Sequence, residues 1–121
     1  RHGAPQVNGR FEREFGRRMT EIDWSAWVAI KSITESILRT KTVNPDGLKK
    51  FLLTDKEFKL DGSKGISLNY RISTRQLRQP IFLVSSNNWV TSVAPLENFQ
   101  NRENNLDTIG IIKKEIKCES K

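Results

Sequence analysis

Two different hydrophobic periods divide the chain. Across "TEIDWSAWVAIKSITESILRT", Thr20 to Thr40, apolar residues fall at Ile22, Ala26, Ile30, Ile33 and Ile37, in steps of four, four, three and four. At 3.6 residues per turn that spacing draws one stripe along an α-helix. Trp27 and Leu38 widen the stripe, while Lys31, Glu35 and Arg39 recur four apart on the other side, where opposite charges add a little surface stability. Thr20 with Asp23 three residues on has the form of a capping box, so the helix should start at Glu21 and run to Arg39. The isoleucine stripe is then its expected buried side.

A shorter helix is predicted in "VNPDGLKKFLL". Asn44 suits the N-cap, Pro45 suits the first helical position, and Leu48, Phe51 and Leu52 form an apolar side, with Gly47 a slight weakness in the first turn. Beyond it the period drops to two. Asp61-Gly62 and Gly65 are turn signals, and Ile66, Leu68 and Tyr70 alternate with Ser67, Asn69 and Arg71, the pattern of a strand with one face buried. The run Ile81–Val84 is apolar on both faces and reads as an interior strand. Asn87-Asn88 makes a tight turn back through Trp89–Val93 to a stop at Pro95. The polar Gln76–Pro80 before this hairpin reads as a lead-in with one anchoring residue, Leu77. The long helix should pack on the strand Ile81–Val84.

The ends carry weaker patterns. Phe11 and Phe15 lie four apart and fit one helical turn over Phe11–Arg18. After Pro95 the chain is rich in Asn, Gln and charge, interrupted by "LDTIGII". Residues 96–121 therefore read as an extended tail with one anchoring patch, and 1–95 as the folded portion, α/β in class.

Composition narrows the chemistry. At 121 residues this is one domain or part of one, and the chain begins at Arg1 without a methionine, which fits a piece of something longer. No apolar run approaches the roughly 20 residues of a membrane span, and no signal peptide is visible. With one cysteine, Cys118, and one histidine, His2, an internal disulfide is impossible and neither a Cys/His metal site nor a Cys–His or Ser–His nucleophile is expected. The net charge of +7, with Arg10, Arg13, Arg17 and Arg18 clustered at one end and Lys113, Lys114 and Lys117 at the other, admits a small basic nucleic-acid-binding domain as an alternative. Glu12 and Glu14 interleave the arginines and no nucleic-acid motif accompanies them, so a solvated basic surface is the simpler reading.

Three local features could carry chemistry. Gly62-Ser63-Lys64-Gly65 lacks the strand–loop–helix setting and residue order of a phosphate loop and reads as a turn before a strand. Glu21 and Asp23 suit the positive end of a helix and need no acid–base role. Trp27 belongs to the core stripe; Trp24 lies off its centre and is the better candidate to line a cleft.

The order "DWSAWVAIKSITESILRT", "NPDGLKKFLL", "FKLDGSKGISLNYRISTRQLRQPIFLV" resembles the C-terminal part of type I periplasmic solute-binding proteins of the branched-chain amino-acid group. With "RFEREFGRRMTEIDWSAWVAIKSI", "RQLRQPIFLV" and "NNLDTIGI", it is similar to the subgroup found with PQQ-dependent alcohol oxidation systems. The resemblance implies part of a type I lobe, with long helix, short helix, then strands including a hairpin. It also implies a ligand held in a cleft between two lobes, and hinge closure recognised by an ABC permease in the inner membrane. Carried over by position, Ile22, Asp23 and Trp24 approach that cleft. On this reading the protein is periplasmic and not an enzyme. It serves as the solute-binding component of an importer, or a sensor derived from one, with a small solute as ligand, no cofactor and no nucleic-acid partner. A ligandless domain acting as an interaction module is a third expectation.

Overall fold

A computed structural model of the chain describes residues 5–54, 58–87, 90–93 and Leu106. Three helices, α1 (Pro5–Phe15), α2 (Glu21–Thr40) and α3 (Pro45–Leu52), precede five short strands, β1 (Leu60–Asp61), β2 (Ser67–Tyr70), β3 (Leu77–Arg78), β4 (Phe82–Val84) and β5 (Val90–Val93). The strands form an antiparallel sheet in the order β1-β2-β3 and a separate two-stranded sheet, β4-β5. The fold is mixed, helices with small antiparallel sheets.

α2 starts and stops where local chemistry dictates. The Thr20 side chain accepts from the Asp23 amide, and the Asp23 carboxylate accepts from the Thr20 amide at 2.8 Å, so the capping box is complete. At the other end Lys41 takes a left-handed conformation, φ 56°, and donates its backbone N–H to the Ile37 carbonyl. α3 begins as its sequence predicts, with the Asn44 side chain accepting from the amides of Asp46 and Gly47 and Pro45 in the first turn. Phe51 and Leu52 pack against the core from its partly buried side.

The core is Val28, Phe58, Leu60 and Leu68, with Trp24, Trp27, Phe51, Leu52, Tyr70, Leu77 and Leu106 packed around it. Phe58 meets Phe51 edge-on at 5.8 Å and lies 5.8 Å from Tyr70, spacings typical of favourable aromatic pairs. The β1–β2 hairpin supplies Leu60 and Leu68 directly opposite one another. Its connecting turn holds Gly62, Ser63 and Gly65, as the turn signals predict. Leu77 anchors its stretch on the core, but Leu77–Arg78 is a paired edge strand, and the Arg78 guanidinium donates to Asn69 Oδ1 directly across the ladder.

The face α2 buries is not the isoleucine stripe. Its buried residues are Val28, Ser32 and Ser36, while Ile22 is 82% exposed, Ile30 66% and Ile33 46%, with Leu38 exposed as well. The reason lies in what serine can do in a helix. Ser32 Oγ donates to the Val28 carbonyl, Ser36 Oγ to the Ser32 carbonyl and Thr40 Oγ1 to the Ser36 carbonyl, so each hydroxyl is satisfied within its own helix. Such short, internally paired side chains form a flat surface for close packing, and Ser32 Oγ also bonds the Tyr70 hydroxyl at 3.0 Å. Trp27 is half-buried beside the core.

The side expected to face solvent instead borders the sheet. Lys31 Nζ donates to the Asp61 carbonyl, an Arg39 guanidinium N–H donates to the Lys59 carbonyl, and Arg39 pairs with Glu35 at 3.3 Å.

Three further expectations change. Among the described residues β4 is not an interior strand: it pairs with β5 alone, and Leu83 and Val84 are exposed. The hairpin itself is present, with Phe82 opposite Val93 and a bulge between Leu83 and Val84; the turn and strand positions Asn88 and Trp89 lie outside the described residues. α2 packs on α3 and on Phe58, Leu60 and Leu68, and β4 contributes nothing to that core, so the expected seat of α2 on 81–84 is replaced by the β1–β2 hairpin. Finally, α1 begins earlier than expected and ends at Phe15, where Gly16 turns left-handed at φ 64°. Phe11 and Phe15 stack at 4.5 Å as their spacing implies. The tail expectation falls outside the described residues except for Leu106, which packs on the core.

Candidate functional site

At the N-terminal end of α2 a local ion pair adjoins long-range polar and aromatic contacts to the turn after β1. Of the three cleft candidates, Asp23 is fully committed. Its carboxylate takes a two-pronged guanidinium contact from Arg17, at 2.7 and 2.9 Å, together with the Thr20 amide and hydroxyl. These hydrogen bonds, Arg17's foremost, hold the carboxyl well below the usual carboxylate range and raise the Arg17 pKa in turn. Asp23 is thus a structural anion, neutralised on site. Ile22 stands exposed at the head of the isoleucine stripe.

Trp24 lies on the side of α2 that meets the turn after β1. Its indole N–H donates to the Gly62 carbonyl at 3.1 Å, joining α2 to a residue 38 positions later. Only glycine suits position 62: a Cβ there would meet Leu68 Cδ1 at 2.4 Å and Trp24 Cζ2 at 3.3 Å. Above the Trp24 ring sits the Lys64 ammonium, 4.1 Å from the centroid, with the Phe82 ring 5.4 Å away on β4. Lys64 Nζ also donates to Gln79 Oε1. Burial pushes the lysine pKa down, and attraction to Glu21 opposes that shift. No carboxylate makes an ion pair with Lys64 among the described residues.

The structure therefore brings Trp24 together with three residues that sequence reasoning did not single out as site residues, Lys64, Gln79 and Phe82. In the sequence Lys64 reads only as part of a turn. Lys64 meets Gln79, Phe82 and Trp24 across 15, 18 and 40 positions of chain, and no local spacing encodes these contacts.

Elsewhere, an open groove of about 440 Å³ is lined by Pro5, Gln6, Arg10 and Arg13, all on α1. Among the described residues no group of three or more His, Cys, Asp or Glu is placed to hold a metal ion, and no helix is long and apolar enough to cross a membrane. Comparison with protein-family models, with curated proteins and with solved structures finds no match to this chain.

Proposed function

We propose that this chain is the C-terminal portion of a type I solute-binding protein, the binding component of an ABC importer or a sensor derived from one, and that the start of α2 forms part of the wall of its ligand cleft. The observation that carries the reading is the double-sided character of α2. One side is buried at Val28, Ser32 and Ser36, resting on the β1–β2 hairpin at Val28 and Ser32, and the other presents Ile22, Ile30 and Ile33 to solvent. A helix apolar on its open side belongs between two layers, as in an α/β lobe. The missing layer is the remainder of the lobe, and a small solute is bound between that lobe and a second one by hinge closure. The family resemblance of the quoted motifs supports a periplasmic setting beside PQQ-dependent alcohol oxidation.

The test is the product of the complete reading frame, screened by thermal unfolding against small polar and apolar solutes. A ligand that binds the folded state raises Tm in proportion to its concentration over Kd. The reading expects repeated βα units ahead of Arg1 and at least one solute that raises Tm. An initiator methionine directly before Arg1, or no response to any solute, contradicts it.

A further inference from the structure

We infer that the connection between α1 and α2 is a cleavage site, hydrolysed after Arg18 by a serine protease whose primary pocket holds a carboxylate for arginine. The inference stands apart from the solute-binding reading and rests on how the two helices are joined.

A protease binds its substrate as an extended stretch of several residues, so a bond is cut where the chain on both sides leaves its place at little cost. Ahead of this bond, α1 buries no residue. The packed pairs of elements are α2 with α3 and neighbouring strands with one another, and none includes α1. The core and the shell packed on it begin at Trp24, beyond the bond. In the connection itself Gly16 is left-handed at φ 64° and residues 16–18 are exposed. Among the described residues the amides of Arg17, Arg18 and Met19 donate no hydrogen bond, and the Arg18 side chain has no partner. A carboxylate-lined pocket therefore meets a free guanidinium.

The tie that must open is Arg17. Its guanidinium lies 4.9 Å from the Phe11 centroid, donates to the Arg18 carbonyl at 3.2 Å and pairs with Asp23. The side chain is half-exposed, and surface pairs of this kind hold weakly. The Thr20–Asp23 capping box lies wholly beyond the bond, so the body keeps the cap of α2 after the cut. Other exposed basic residues between elements are held on both sides. Lys41 joins α2 and α3, which pack together. Lys59 stands between the buried Phe58 and Leu60. Arg75 lies in the turn joining the paired β2 and β3 and donates its amide to the Arg71 carbonyl at 2.7 Å. In the reaction water adds across the Arg18–Met19 amide: the C–N bond breaks, Arg18 gains a carboxylate and Met19 an ammonium.

The probe is trypsin, which has such a pocket, added sparingly to this chain, with intact-mass spectrometry to place each cut. Among the described residues the Arg18–Met19 bond should be cut first. It should be cut at least tenfold faster than the bonds after Lys41, Lys59 and Arg75, because cutting follows how easily each segment opens. Arg18→Gln should slow cleavage of the connection at least tenfold, since the remaining Arg17 is held by Asp23. A second measurement needs no variant: the product beginning at Met19 should keep the cooperative urea transition of the intact chain. A first cut at any other bond of the described residues, unchanged cleavage of Arg18→Gln, or loss of the urea transition in the product overturns the inference.

Discussion

Gly62 shows how one backbone position serves both fold and site. Its carbonyl takes the Trp24 indole N–H, and its missing side chain leaves room for Leu68, which is fully buried. Gly62→Ala would place a methyl 2.4 Å from Leu68 Cδ1, and a buried leucine yields little. The expected loss is about 1–3 kcal/mol, the usual cost of overpacking, seen as a lower urea midpoint with an unchanged slope. An unchanged midpoint would mean that Leu68 re-packs freely. Asp23 makes a different prediction. Because Arg17 and Thr20 hold its folded pKa below the unfolded value, its contribution is fully present above about pH 4, near the unfolded carboxyl's pKa, and is lost as pH falls through the folded one. Asp23→Asn should therefore be less stable than wild type near neutrality, with the gap closing in acid. Urea midpoints across that range check it, and a gap independent of pH would refute it.

Among the elements, α2 separates what periodicity can tell from what it cannot. The helix, its Thr20–Asp23 cap and the Asn44–Pro45 start of α3 are all encoded within four residues of where they act, and they are where the sequence places them. The choice of buried face is not local. A stripe of isoleucines identifies an apolar side but not which neighbour reaches it; the buried side is instead Val28, Ser32 and Ser36, with Val28 packed on Leu60 and Leu68 and Ser32 bonded to Tyr70 of the β1–β2 hairpin. Serine hydroxyls that bond back to their own helix act there as small side chains, a role hydropathy does not register. For the same reason the apolar run 81–84 reads as interior although, among the described residues, its strand pairs with β5 alone. Trp24, expected from its position off the stripe to line a cleft, packs against the core, and Lys64, Gln79 and Phe82 gather beside it only through the tertiary fold. The two sides of α2 should respond differently in this chain. Val28→Ala should cost roughly 1–3 kcal/mol in lost burial and packing, and Ile33→Ser no more than about 0.5 kcal/mol, as at exposed sites. Chemical denaturation of the two variants distinguishes them; equal costs would place Ile33 in a packed core.

For the whole molecule, the exposed isoleucines, the two small antiparallel sheets and the capped, well-defined helices describe a folded layer with one apolar side open. Exposed apolar side chains gathered on one side of a helix mark a place where another surface can belong. That is the structural content of reading the chain as part of a solute-binding lobe, and it can be measured by maleimide labelling of single cysteines in a Cys118→Ser background. In this chain Ile30→Cys should react rapidly and Ser36→Cys slowly; the proposed function, in which a longer chain supplies a layer over Ile30, expects both to be protected in the product of the complete reading frame. Ser36→Cys reacting as fast as Ile30→Cys in this chain, or Ile30→Cys staying equally reactive in the complete protein, would contradict the account.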